Sequence, residues 1–92
     1  MTSKDIQALL TTHQNLTHTE NVKVSSHVQR EDGDWYLNTL MIDGIDVPFK
    51  YRRKQPYKNL KGARVNLTYY PQAEEIAGVE FEYMKVVRLR IT

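Results

Sequence analysis

From Val22 onward, apolar residues recur at every second position almost to the end of the chain. That period marks half-buried strands, because successive side chains on a strand point to opposite faces. Val22, Val24 and Val28 alternate with polar residues, and further runs cover 35–42, 45–54, 63–70 and 79–91. Turn-forming residues separate the runs: Asp32-Gly33, Asp43-Gly44, the stretch 56–62 and the stretch 71–78. Residues 3–13 have another rhythm. Ile6, Leu9, Leu10 and His13 fall at i, i+3, i+4 and i+7, which predicts a short amphipathic helix capped by Thr2 or Ser3. A helix of about three turns needs tertiary support, so it is expected to dock on the strands. Residues 14–20 read as a connection and 21–92 as a five-stranded β region, the whole chain 1–92 forming a single domain. No segment leaves room for a helical crossover between strands, so pairing should be largely antiparallel. The predicted class is mostly β (α+β): a small five-stranded barrel or strongly bent sheet with one N-terminal helix.

The turns sharpen this into a register. Asp43-Gly44 between two apolar runs predicts a two-residue type I′ hairpin. Ile42 would then face Ile45, with Leu40 opposite Val47, Asn38 opposite Phe49 and Tyr36 opposite Tyr51, all looking into the core. The reverse face would hold Trp35 and Leu37 beside Lys50 and Arg52, with Trp35 opposite Arg52. Pro48 places strand 45–54 at an edge or a bulge. For the preceding hairpin, a three-residue loop Asp32-Gly33-Asp34 pairs Val24 with Ile42 and Val28 with Asn38. That choice keeps the valines on the common apolar face. The last run carries Val79, Phe81, Tyr83, Val87, Leu89 and Ile91 on one parity and Met84 and Val86 on the other, so it is buried on both sides or bends.

In element order alone, five strands with a short turn near 57–60 before the fourth are similar to an OB-type barrel. The stretch 56–62 is too short for the helix such barrels usually carry between strands three and four, and the predicted helix here is N-terminal. At the level of sequence, the strings LTHTENVKV, WYLNTLMIDGIDVPFKYRRK and LKGARVNLTYYP resemble a family of short bacterial hypothetical proteins, over most of the chain. The resemblance implies no catalytic or binding residue.

Charge changes the picture more than composition does. The formal net charge is only +2, yet residues 1–49 carry three bases against seven acids and residues 50–92 carry ten against four. Seven of the thirteen Lys and Arg lie in 50–64: Lys50, Arg52, Arg53, Lys54, Lys58, Lys61 and Arg64, with Tyr51 and Tyr57 among them and no acid. A basic run with interleaved aromatics is the electrostatic footprint of a phosphate-rich partner, and equally a common solvated face on a small domain.

Other chemistries find little support. With no cysteine there is no disulfide, no thiol nucleophile and no cysteine-bound metal. His13, His18 and His27 lack ligand spacing and a completing carboxylate, so no metal and no cofactor is expected. The single turn glycines do not make a phosphate loop, and Ser26 and His27, adjacent on a strand, point to opposite faces. No apolar run approaches the length of a membrane span or a secretion signal, so a cytoplasmic, membrane-free protein is expected. The sequence therefore predicts a non-enzymatic binding module for single-stranded or structured nucleic acid. Its phosphate contacts would be Lys50, Arg52, Arg53, Lys54, Lys58, Lys61 and Arg64, and Trp35 and Tyr57 would stack on bases. The alternative is a protein–protein interaction or assembly module with an acidic partner.

Overall fold

The computed structural model describes residues 16–92. The helix expected over 3–13 lies outside the described residues. Five strands, β1 (Thr17–Asp32), β2 (Trp35–Ile42), β3 (Phe49–Arg53), β4 (Arg64–Ile76) and β5 (Val79–Ile91), form one sheet. β1 begins at Thr17, so residues 17–20 belong to a strand and not to the expected connection.

The strand order is β1-β2-β3-β5-β4, and β4 returns to pair with β1, so each strand has two neighbours around a ring. All pairings are antiparallel except β3 with β5, where Phe49 faces Met84 and Lys50 faces Lys85. β1 serves two partners. Residues 17–23 pair with β4, and residues 24–32 pair with β2. Two irregularities bend it. Asn21 takes a left-handed backbone (φ 56°) and donates its N–H to Asn66 Oδ1 at 2.9 Å, and the register slips by one between Val24 and Ser26. Bulges of this kind increase twist and turn a strand.

Three turns differ from expectation, and backbone geometry explains each. The first hairpin closes through Gly33-Asp34, with Asp32 opposite Trp35. Gly33 has positive φ and Asp34 does not, the pattern of a type II′ turn. Near the turn the ladder is therefore one residue away from the expected alignment. The bulge at Ser25 then restores Val24 opposite Ile42, while Val28 faces Thr39 and is 60% exposed.

At Asp43-Gly44, Ile45 N–H does donate to Ile42 O at 3.0 Å. Only Gly44 has positive φ (80°), however, so this is a type II turn and not type I′. A type II turn does not match strand twist. β3 accordingly starts only at Phe49, and the register is shifted by two: Leu40 faces Phe49, Asn38 faces Tyr51 and Tyr36 faces Arg53. A shift of two preserves faces. Asn38, Leu40, Ile42 and Phe49 are buried as expected.

The type I′ turn lies elsewhere, at Ala77-Gly78, both with positive φ, which joins Ile76 to Val79. β4 thus runs straight through Pro71 to Ile76.

The core comprises Val24, Leu40, Ile42, Phe49, Leu60, Val65, Leu67 and Val86, with Tyr69 edge-on to Phe49 at 4.8 Å between ring centroids. In β5 the inward residues are Met84 and Val86, and a slip beside Val87 then brings Leu89 inward. Val79, Phe81 and Val87 are left exposed, and Tyr83 lies under the Lys50 ammonium on the outside and not in the core.

Candidate nucleic-acid interface

Residues directly opposite on paired strands share a face, so the register places the outward side chains in rows. One row runs Arg30–Leu37–Arg52 and the next Val28–Thr39–Lys50–Lys85 across β1, β2, β3 and β5. Above them Trp35 faces Asp32, and the Lys54 ammonium sits 5.3 Å from the Trp35 ring centroid. The register shift of two is why Lys54, and not Arg52, meets this ring. The outer face of β1–β2–β3–β5 therefore carries Arg30, Lys50, Arg52, Lys54 and Lys85 around the partly exposed Trp35, Leu37 and Val28.

Lys50 and Lys85 face each other across the parallel pair, a repulsive arrangement. Two contacts relieve it. Lys50 Nζ is 3.3 Å from Glu74 Oε1 and 5.1 Å from the centre of the Tyr83 ring, whose hydroxyl donates to Gln72 Oε1 at 2.7 Å.

The remaining sequence-predicted residues go elsewhere. Arg53 has the inward parity, at the end of β3, and its guanidinium stacks 4.3 Å from the Tyr57 ring centroid. Lys58 and Lys61 are exposed on the loop 54–63 that crosses this end of the ring. Arg64, at the start of β4, donates to Asn21 O at 3.0 Å and faces Lys23 of β1, away from β3 in the strand order. The basic run is thus divided into three places: Lys50, Arg52 and Lys54 on the outer face, Arg53, Lys58 and Lys61 at the ring's end, and Arg64 beside β1.

Two members of the face, Arg30 and Lys85, escaped sequence reasoning because they lie outside the basic run. Their signal was parity alone, readable only with the register in hand.

Inward-facing polar residues hold the loop that closes the ring's end. Leu60 N–H donates to His27 Nδ1 at 2.9 Å, and Tyr57 N–H donates to Gln29 Oε1 at 2.7 Å. An Nδ1 that accepts must be unprotonated, so His27 carries its proton on Nε2 and donates it to Asn38 Oδ1 at 2.7 Å. Leu60 thereby fills the end of the core at 1% exposure. Tyr51 lies in the same region, its ring 6.4 Å from His27. Burial, reinforced by nearby Tyr57 and opposed by Arg53, pushes its hydroxyl from 10.0 up to about 12.

No group of three or more His, Asp or Glu side chains capable of holding a metal occurs among the described residues. Among the same residues, no helix is long and apolar enough to cross a membrane. No protein family, curated protein or solved structure matches the chain.

Proposed function

We propose that the protein is a non-enzymatic module that binds single-stranded nucleic acid on the outer face of β1–β2–β3–β5. The observation that carries this reading is the row arrangement: five cations, Arg30, Lys50, Arg52, Lys54 and Lys85, interleaved with Trp35, Leu37 and Val28. Cations track a phosphate backbone, and an exposed ring offers bases a sequence-tolerant stacking surface. The strand order and the single parallel contact between β3 and β5 also support an OB-type barrel, a fold whose β2–β3 face binds oligonucleotides and oligosaccharides. In this reading the loop 54–63, with Leu60 as a plug, closes the barrel end where OB-type barrels usually place a helix. Arg53 and Tyr57 then belong to that closure. Lys58, Lys61 and Arg64 contribute only general field.

The test is a titration with short single-stranded DNA and RNA at several salt concentrations. Log affinity should fall linearly with log salt by about 0.7 per phosphate neutralised. Reversing Arg52, Lys54 and Lys85 to glutamate should abolish binding, whereas reversing Lys61 and Arg64 should only weaken it. Trp35→Ala should cost roughly 1–3 kcal/mol if the ring stacks on a base. Absence of binding to either nucleic acid at low salt overturns the proposal. A second reading, a protein-interaction module, draws on Ile76, Val79 and Phe81, which are half exposed along the β4–β5 hairpin. Association through them would survive high salt.

A further inference from the structure

Glu74 is out of place on a face built for phosphate. It lies on β4 opposite Phe81, with the same outward parity as Gln72 and Tyr83, and its carboxylate reaches across β5 to Lys50 of β3 at 3.3 Å. The other three acids of the hairpin, Glu75, Glu80 and Glu82, have the opposite parity and turn away from this face. We infer that Glu74 is an internal competitor for phosphate, occupying Lys50 in the free protein so that a ligand must displace it to use that cation. The inference rests on the nucleic-acid reading and names a residue that sets how tightly the face binds.

The physical argument concerns exchange at one ammonium. Lys50 and Lys85 stand directly opposite each other across the parallel pair, and Glu74 neutralises one of the two. Both members of the ion pair are about two-fifths exposed, so the pair is weak and open to an incoming anion. A lone anion arriving there gains little over the carboxylate already in place. A strand anchored at Trp35, Lys54 and Arg52 delivers its next phosphate to Lys50 at high effective concentration and prevails. Glu74 thus favours a run of phosphates over an isolated one.

The experiment compares the wild-type protein with Glu74→Gln, Glu75→Gln and Lys50→Gln, and with the Lys50→Gln/Glu74→Gln double variant, each titrated with a single-stranded oligothymidylate over a range of salt. Glu75→Gln removes the same charge from the same hairpin on the other face, so it controls for net charge. Glu74→Gln should tighten binding by about three- to tenfold at low salt with little change in the log–log salt slope, because the strand neutralises the same phosphate at Lys50 in both proteins and only the displaced carboxylate differs. Glu75→Gln should change affinity by less than about twofold. In the Lys50→Gln background, Glu74→Gln should have little effect, because the competed cation is gone. Equal gains from Glu74→Gln and Glu75→Gln, or an undiminished gain from Glu74→Gln in the Lys50→Gln background, would overturn the inference while leaving the nucleic-acid reading intact. No binding by wild type at low salt would overturn the nucleic-acid reading and the inference with it.

Discussion

Residues 54–63 cross one end of the ring and turn an apolar side chain inward, whereas the β4–β5 hairpin leaves the ring and keeps its apolar side chains in water. The first segment has no regular structure, yet Leu60 is 1% exposed and its backbone is held by His27 and Gln29. The second is regular antiparallel ribbon, but residues 72–76 and 79–83 pair only with each other among the described residues. Ile76, Val79 and Phe81 are consequently half exposed. Regularity and burial are thus separate properties. A loop becomes part of a core when buried polar side chains satisfy its backbone, and a hairpin stays outside one when no third strand covers it.

The largest effects should therefore fall at the irregular end. Leu60→Ala should destabilise by about 2–4 kcal/mol in a denaturant titration, and His27→Ala by about 1–3 kcal/mol through the unsatisfied Leu60 N–H and Asn38 amide. Phe81→Ser, by comparison, should stay within about 0.5 kcal/mol of wild type. Equal losses at Leu60 and Phe81 would break the contrast.

A second measurement sharpens it through pH. The Tyr51 hydroxyl is buried and without a hydrogen-bond partner among the described residues, and its folded-state pKa is raised from 10.0 to about 12. Because the fold prefers the neutral phenol, its contribution is fully present below pH 10 and disappears as pH rises through the folded value. Wild type should lose on the order of 1 kcal/mol relative to Tyr51→Phe between about pH 10 and 12. Parallel stability curves for the two proteins across that window would place Tyr51 in solvent.

A small gain in stability is expected at the hairpin tip. Ala77 has φ of 52°, a conformation disfavoured for a residue with a Cβ, in a type I′ turn that prefers Asn or Gly there. Ala77→Asn should stabilise by about 0.5–1 kcal/mol, read as a small rise in melting temperature. A loss instead would show that the Ala77 side chain makes contacts the exposed ribbon does not suggest.

Faces were legible from period two, and register was not. Leu40, Ile42 and Phe49 share the core as their spacing requires, because a shift of two leaves parity unchanged. Val28 shows where parity fails. It matches Val24 by number, but the slip between Val24 and Ser26 inverts it and turns His27 and Gln29 inward. No local composition announces that slip, which arises because β1 must satisfy β4 with one half and β2 with the other. Pro71 looked like a strand end, yet β4 continues through it, on a stretch where its other flank has no partner among the described residues. The same logic limited the site. Lys50, Arg52 and Lys54 were readable as one face of one strand, whereas Arg30 and Lys85 reach that face only through pairing with distant strands.

The divided loyalty of β1 also bears on how the chain assembles. β1, β2 and β3 form a meander and β4 and β5 a hairpin, so both units can form from contacts close in sequence. Joining them requires His18 to meet Thr68 and Thr19 to meet Tyr69, residues fifty apart in the chain. Loop closure over that distance carries an entropic cost before any contact repays it, so the seam between β1 and β4 is expected to close late and to limit the folding rate. Substitutions at the seam should then slow refolding, while those at the Ala77-Gly78 tip should leave the rate almost unchanged.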